Sequence, residues 1–301
     1  MISSSLTAVV GWWDVPTKPS HHALILGGTR DARQLAEALA TAGLRVTYAL
    51  HAPTGAVATP AGCSLHTGSF GGESGLADFI ETRAVTLWIN ALHPHAALMQ
   101  ARTVALAPRL GLPFYRLERP LWRPTSSDRW HQHISVEALI EEVANTKPGA
   151  GPSVGLRSQT DAQPNTRDQT KPKRVAAAHR LLLTVGPQSL ADFLPLAAPP
   201  VKARLFTRRF DTNRGSEFDA LVTWIDGLPD PSRDAETALI ESYQITALVT
   251  KNSGGPRPAK LDAAAAFGLP VFLLSPPQVE GPAYTRWPDI RDAVLAVTDL
   301  R

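Results

Sequence analysis

A short aliphatic run that ends in two glycines, directly before an amphipathic helix, constrains the fold of this chain most. Residues 24–26 are aliphatic, Gly27 and Gly28 follow, and residues 31–42 show the 3.6-residue apolar period of a helix. Glycines let a ligand approach the backbone closely, and the first N–H groups of a helix attract anions. The pattern therefore predicts a strand, a phosphate-binding turn and a helix. The residues predicted to bind the phosphate are Gly27, Gly28, Thr29 and Arg30.

The same order of an aliphatic run and a helical stretch recurs along the chain. This alternation is typical of βαβ units and parallel sheets, and 301 residues suffice for two domains. The predicted fold class is α/β, with two Rossmann-like domains whose parallel sheets face each other across a cleft. We predict an N-terminal extension over 1–20, a first domain over 21–127 and a second over 128–301. The predicted strands are 23–26, 45–50, 85–89, 113–117, 130–134, 180–185, 201–206, 246–250 and 270–274, and the predicted helices are 31–42, 75–82, 96–110, 136–145, 235–243 and 259–267.

The positive charge of the chain is concentrated in one segment. Residues 145–180 contain seven basic and two acidic side chains, a net +5, and the whole chain has +3, so the remainder carries −2. A nearly neutral folded part argues against a nucleic-acid partner. The segment is rich in Pro, Gly, Ser, Thr and Gln and lacks aliphatic periodicity, which predicts a flexible insertion at about 145–178. A basic arm that attracts a polyanionic substrate is the alternative.

Cysteine content and hydropathy indicate the compartment. Cys63 is the only cysteine in the sequence, so an internal disulfide is excluded and a reducing compartment is favoured. The first 20 residues do not follow the pattern of a signal peptide, and no apolar run reaches about 18 residues. We therefore expect a soluble, cytoplasmic protein without a membrane partner. His93 and His95 have no third ligand nearby in the sequence, so no metal site is predicted.

Glycines and polar residues follow the predicted strands of the first domain, where parallel sheets bind their ligands. The loop at Gly71 and Gly72 offers several N–H groups to an anion, although it also fits a flexible turn before a helix. Asn90 and His93 follow the strand 85–89, and we expect both side chains to project into the cleft. His93 could hydrogen-bond a cofactor or relay a proton, which makes it a candidate catalytic residue, or it could only cap the next helix.

A lysine, two small polar side chains and two glycines follow the predicted strand 246–250, and a second lysine lies in the next predicted helix. Cations beside exposed backbone N–H groups suit an anionic ligand, and a purely structural loop is the alternative. Arg119, between the two domains, could clamp a carboxylate or phosphate, or form a structural ion pair. The residues predicted to bind an anionic group are Arg119, Lys251, Asn252, Ser253, Gly254 and Lys260.

Six motifs, in this order, resemble the precorrin-6A reductase family of the cobalamin pathway over about residues 23–275. They are Gly-Gly-Thr at 27–29, Phe-Gly-Gly at 70–72, His-Pro at 93–94, Leu-Glu-Arg-Pro with a following Trp at 117–122, Thr-Val-Gly at 184–186, and Thr-Lys-Asn-Ser-Gly-Gly at 250–255 with Lys260. Two segments depart from the family pattern. Ala-Pro-Thr-Gly at 52–55 replaces a Gly-Arg pair suited to a 2′-phosphate, and Thr-Arg-Arg-Phe-Asp at 207–211 replaces an Arg-Gly-Pro-Phe turn.

The resemblance implies NADPH-dependent reduction of one double bond of precorrin-6A to dihydro-precorrin-6. It implies NADPH on the first domain, a carboxylate-rich tetrapyrrole between the domains and hand-over of substrate from neighbouring pathway enzymes. NADH is the alternative cofactor because the loop after the second strand departs from the family. In this scheme the cofactor would be bound by Gly27, Gly28, Thr29, Arg30, Gly71, Gly72, Asn90 and His93. The substrate carboxylates would be bound by Arg119, Lys251, Asn252, Ser253, Gly254 and Lys260.

Two other functions stay open. A cobalt-precorrin-6A reductase of the anaerobic branch would use the same residues on a cobalt-loaded relative of the substrate. A nucleotide- or tetrapyrrole-binding sensor or carrier with a degenerate site would account for the two departures from the family pattern. A short-chain dehydrogenase is disfavoured, because none of the four tyrosines has a lysine four residues later.

Overall fold

The computed structural model describes residues 21–51, 58–148, 178–209, 217–227 and 229–299. Within these ranges the strands form two parallel sheets, one of five strands and one of six. This confirms the predicted α/β class. The extension predicted over 1–20 and most of the predicted insertion lie outside the described residues.

The first sheet is formed by β1 (His22–Leu26), β2 (Arg45–Leu50), β3 (Ser64–Thr67), β4 (Leu87–Asn90) and β5 (Phe114–Arg116), with helices α1 (Arg30–Thr41), α2 (Gly72–Thr82) and α3 (Ala97–Leu110). Its strand order is β3-β2-β1-β4-β5. The chain therefore reverses the direction in which it adds strands between β1 and β4. Ligands of open α/β sheets bind at such a switch point, beyond the carboxyl ends of the strands.

The second sheet is formed by β6 (Arg129–His133), β7 (Arg180–Thr184), β8 (Arg204–Arg209), β9 (Val222–Asp226), β10 (Ala247–Lys251) and β11 (Pro270–Leu274), with helices α4 (Val136–Asn145), α5 (Leu190–Phe193), α6 (Arg233–Ser242) and α7 (Ala259–Ala266). Its order is β6-β11-β10-β7-β8-β9. Apart from the added edge strand β6, this is the arrangement of the first sheet, with a switch point between β7 and β10.

The last helix, α8 (Trp287–Val297), returns to the first sheet. Its Ile290 and Val294 are fully buried in the hydrophobic core that also contains Ile25 and Leu35. The sequence-based assignment of all of 128–301 to the second domain is therefore wrong for α8. Its apolar period indicates that one face is buried, but it does not say which of two sheets covers that face.

No helix in the ranges that the structure describes is long and apolar enough to span a bilayer.

Candidate active site

The carboxyl ends of the two sheets face one another around a cavity of about 450 Å³. The cavity lies at both switch points, because its walls come from the segments after β1 and β4 in one sheet and after β7 and β10 in the other. The loop after β2 adds a further wall. The lining residues are Gly27, Gly28, Leu50, His51, Leu92, His93, His95, Ala96, Thr184, Val185, Gly186, Pro187, Gln188, Ser189, Lys251 and Ser253.

The glycine turn after β1 leads into the N-terminus of α1. Thr29 caps the helix, since its Oγ1 accepts the Ala32 N–H at 3.1 Å and its carbonyl accepts the Arg33 N–H at 3.2 Å. The first N–H groups of a helix have no partner within the helix. The backbone N–H groups of Arg30 and Asp31 are therefore the ones that the helix leaves for an anion, and the positive end of the helix dipole adds to their effect.

The N–H groups of both glycines in this turn are paired within the fold. Gly27 N–H donates to the Ala49 carbonyl at 2.9 Å, and Gly28 N–H donates to the Tyr48 hydroxyl at 2.9 Å. Gly28 is exposed and has a φ of +119°, a conformation that favours glycine. The Cβ position of Gly28 has no atom nearer than 3.9 Å outside its chain neighbours. The turn therefore offers a ligand space rather than N–H donors.

Gly71 and Gly72 lie at the start of α2, outside the residues that line the cavity. Both have positive φ, 81° for Gly71 and 96° for Gly72. Gly71 is the left-handed N-cap of α2, and its N–H donates to Ser69 Oγ at 3.1 Å. Glycine is thus required by this turn irrespective of any ligand.

Asn90 is fully buried and does not project into the cleft, so the prediction for its side chain is wrong. Its Nδ2 donates to Gln100 Oε1 and Thr103 Oγ1, both at 2.7 Å, and its Oδ1 accepts the Leu92 N–H at 3.2 Å. Both N–H groups of the amide are therefore bound to side chains of α3. Asn90 ties the end of β4 to α3 and thereby fixes the start of the segment that carries His93.

His93 and His95 join the first sheet to the loop after β10. His93 Nδ1 accepts the His95 N–H at 3.3 Å, so Nε2 carries the hydrogen and donates to Ser253 Oγ at 2.9 Å. His95 Nε2 donates to the Asn252 carbonyl at 3.1 Å. Burial, aided by neighbouring cations such as Arg119, lowers the pKa of His93 to about 3, and burial together with Lys251 lowers the pKa of His95 to about 4. Both rings are therefore neutral near pH 7.

The loop after β10 contains residues of two kinds. Lys251 and Ser253 line the cavity, and the Lys251 ammonium donates to Ser189 Oγ. Burial lowers the pKa of Lys251. Ser253 Oγ donates to the Lys251 carbonyl at 3.4 Å while it accepts from His93. Both side chains are therefore accessible to a ligand in the cavity.

Asn252 and Gly254 serve the fold instead, which corrects their prediction as ligand-binding residues. Asn252 is 1% exposed. Its Oδ1 accepts the N–H groups of Trp122 at 3.0 Å and Gly254 at 3.3 Å, and its Nδ2 donates to the Trp122 carbonyl at 3.1 Å. A Cβ on Gly254, which has a φ of +63°, would lie 2.9 Å from the carbonyl oxygens of Arg119 and Pro120. Both residues hold the segment between the sheets against the loop.

Lys260 lies behind the cavity wall, between β7 and β10. Its Nζ donates to Thr184 Oγ1 at 2.7 Å and to Thr250 Oγ1 at 2.8 Å. These threonines are register partners on the two strands of the second switch point. Burial lowers the pKa of Lys260 to about 8, and nearby Glu236 opposes that shift. The structure thus places Lys260 so that it joins the strand ends, and it is not among the cavity-lining residues.

Arg119 lies between the two sheets and beside His93. Its Nε is 3.7 Å from Asp31 Oδ2 at the start of α1, and its guanidinium lies 3.3 Å from the Cβ position of Gly255. The side chain is 13% exposed and lines a second cavity of about 350 Å³ with Arg116 and Gln100. Burial lowers the pKa of Arg119. The arginine therefore links the N-terminus of α1 to the loop after β10.

Residues at the two departures from the family motifs are described only in part. Arg208 forms an ion pair of 2.7 Å with buried Glu236. Residues 52–57 and 210–216 lie outside the described ranges. Among the residues that the structure does describe, no group of three or more His, Cys, Asp or Glu side chains could hold a metal ion.

The segment after β7 also lines the cavity, although its residues were not among the predicted ligand-binding residues. Gly186, with a φ of +82°, turns the chain so that Gln188 and Ser189 line the cavity. The sequence feature that indicates this segment is Thr-Val-Gly at 184–186, a glycine directly after a strand, as in the turn after β1. His95, for which the sequence predicts no role, contacts the Asn252 carbonyl and is thereby part of the connection between the sheets.

The donors and the space at the first switch point fit a nicotinamide dinucleotide. The first-turn N–H groups of α1 suit its pyrophosphate, and the open Cβ position of Gly28 permits close approach to the backbone. The second half of the cavity presents the ammonium of Lys251 and the hydroxyl groups of Ser189 and Ser253. Anionic groups of a second ligand can hydrogen-bond there.

Comparisons with known proteins find a matching family, similar sequences and a similar structure. The sequence model of the family "Precorrin-6x reductase CbiJ/CobK" matches residues 22–297. A precorrin-6A reductase of Rhodococcus erythropolis is 32% identical over 279 residues, which cover 92% of this chain and 97% of that protein. A cobalt-precorrin-6A reductase of Priestia megaterium is 25% identical, with coverage of 91% and 98%. The solved structure of a CobK precorrin-6A reductase superposes with a TM-score of 0.72 at 30% identity, covering 92% of this chain and 97% of that one.

Proposed function

Because this chain belongs to the precorrin-6x reductase family CbiJ/CobK, we propose that it reduces one double bond of precorrin-6A with NADPH in cobalamin biosynthesis. The observation that carries the proposal is the single cavity at both switch points. The glycine turn that leads into α1 lines it on one side, and the second sheet offers a lysine and hydroxyl groups for a carboxylate-rich macrocycle on the other. The two ligands meet beside His93, which lines the cavity.

The first sheet binds the cofactor in this proposal. The reduced nicotinamide supplies the hydride, and the protein contributes position and charge. The N–H groups of Arg30 and Asp31 bind the pyrophosphate, and the guanidinium of Arg30, an exposed residue, pairs with a phosphate of the cofactor. His93, held as the neutral Nε2–H tautomer by the His95 N–H and Ser253, gives the nicotinamide half of the cavity a fixed wall.

The second sheet binds the tetrapyrrole through its carboxylates. Lys251 and Ser253 line the cavity directly, and Arg119 lies at the boundary between the two sheets. Burial lowers the pKa of His93 to about 3 and that of His95 to about 4, so both imidazoles beside this half of the cavity are neutral near pH 7. In the pathway, the substrate is handed over by neighbouring enzymes.

The test is an anaerobic assay with purified full-length chain. NADPH and NADH are each supplied with precorrin-6A, and oxidation of the nucleotide is followed by loss of absorbance. We expect oxidation with precorrin-6A and a higher kcat/KM for NADPH than for NADH. A cobalt-loaded substrate is the second arm, because relatives named for that substrate also match this chain. Turnover of the cobalt-loaded substrate alone would assign the chain to the other branch, and nucleotide binding without turnover of either would favour a sensor or carrier.

A further inference from the structure

Tyr48 lies in the core of the first sheet and contacts the glycine turn after β1. Its hydroxyl oxygen accepts the Gly28 N–H at 2.9 Å. Its ring stands where a side chain on Gly27 would lie, because a Cβ on Gly27 would be 2.2 Å from Tyr48 Cζ. Tyr48 is 2% exposed and belongs to the hydrophobic core that also contains residues of α1. The contact is therefore built into the core beneath the turn and is not part of the cavity surface.

This contact explains why the turn needs glycine at 27. The turn does not have the spacing of three glycines found in the usual dinucleotide fingerprint. Gly27 leaves room for the Tyr48 ring, and Gly28 adopts a φ of +119°. The Gly28 N–H points at Tyr48, so it cannot also bind a phosphate. Anion binding then falls to the first-turn N–H groups of α1, whose direction depends on how the turn is held.

We propose that Tyr48 is a positioning residue for the cofactor. Its hydrogen bond to Gly28 fixes the turn so that the N–H groups of Arg30 and Asp31 face the pyrophosphate. Burial raises the pKa of Tyr48, so the phenol stays neutral and its oxygen remains an acceptor without charge beside an anionic ligand. This inference rests on the proposed function, because it gives Tyr48 a role toward the nicotinamide dinucleotide.

The variant that tests the proposal is Tyr48→Phe, which keeps the ring and removes only the hydroxyl. Tyr115→Phe is the matched control, since Tyr115 lies on β5 of the same sheet, is half-buried and does not line the cavity. We expect the Kd for NADPH to rise about tenfold in Tyr48→Phe, the effect of losing one hydrogen bond that preorganises the site. The KM for NADPH should rise in parallel, while kcat at saturating NADPH and the KM for precorrin-6A stay within about twofold of the wild type. Tyr115→Phe should match the wild type in all four constants.

Amide hydrogen exchange at Gly28, followed by NMR in the nucleotide-free protein, tests the contact without any cofactor. The Gly28 amide should exchange slowly in the wild type and in Tyr115→Phe, and faster in Tyr48→Phe. Equal NADPH affinity in Tyr48→Phe and the wild type would overturn the inference while leaving the proposed function intact. A lower kcat with unchanged nucleotide affinity would overturn it as well. A wild type that binds neither NADPH nor NADH, yet shows a protected Gly28 amide, would refute the proposed function itself.

Discussion

Replacement of Asn252 by alanine should destabilise the protein rather than weaken a substrate contact. The side chain is 1% exposed and makes three hydrogen bonds, two of them to the backbone of Trp122 and one to the Gly254 N–H. Asn252→Ala removes all three and leaves the polar groups of Trp122 without their partners. Each intramolecular hydrogen bond contributes about 1 kcal/mol net, and a buried group left unpaired costs about 1–3 kcal/mol.

The expected loss in the free energy of unfolding is therefore about 3 kcal/mol. A change of 1 kcal/mol shifts the Tm of a large domain by about 2–4 °C, so the Tm should fall by about 6–12 °C. Thermal unfolding followed by circular dichroism measures this directly. Asn145→Ala is the control, because Asn145 is an exposed residue at the end of α4 and should change stability by less than about 0.5 kcal/mol.

A stable Asn252→Ala protein with an increased KM for precorrin-6A would refute the reasoning. That outcome would return Asn252 to the role that the sequence predicted, a side chain that contacts the substrate. The expected outcome is a lowered Tm, with a KM at low temperature that changes less than in Lys251→Ala, since Lys251 lines the cavity and Asn252 does not.

Three further predictions concern the histidines and the last helix. In the folded protein the pKa of His93 is about 3 and that of His95 about 4, below the unfolded value of about 6.5, so the unfolded state binds protons first on acidification. The free energy of unfolding should therefore fall from pH 6.5 towards pH 4, and it should fall less in His95→Asn. Urea unfolding at each pH measures this. For the same reason kcat should show no ionisation of His93 between pH 6 and 8, and an acidic limb that disappears in His93→Asn would contradict the neutral assignment. In α8, Val294→Ala should lower the free energy of unfolding by about 2 kcal/mol, because Val294 is fully buried. Val297→Ala should lower it little, because Val297 is 56% exposed. Equal losses of the two variants in urea unfolding would mean that α8 is not packed on the first sheet.

The sequence was sufficient for the strands that are buried on both faces. Residues 22–26 of β1 and 270–274 of β11 are buried throughout. Their aliphatic runs therefore predict both that the segments are buried and that they are strands. The edge strand β3 was missed because its sequence, Ser-Leu-His-Thr, is largely exposed and polar. Strand β9, also at an edge, has a similarly mixed pattern.

The site was predicted less well than the fold, for a physical reason. A polar residue at the end of a parallel strand can face the cavity or the interior, and the sequence does not distinguish these directions. Asn90 and Asn252 turn inward because Gln100, Thr103 and the Trp122 backbone offer them partners that are distant in sequence. Ser253 and Lys251 remain at the cavity. Only the tertiary contacts decide between the two roles.

Hydride transfer from NADPH to precorrin-6A within this cavity is the central step of the proposed function. NADPH deuterated at the transferring position of nicotinamide C4, incubated anaerobically with precorrin-6A and the purified chain, tests it in one step. We expect a product that carries one deuterium on a ring carbon, with one NADP⁺ formed for each macrocycle reduced. Reduced product without deuterium, or NADPH consumed without reduced product, would contradict it.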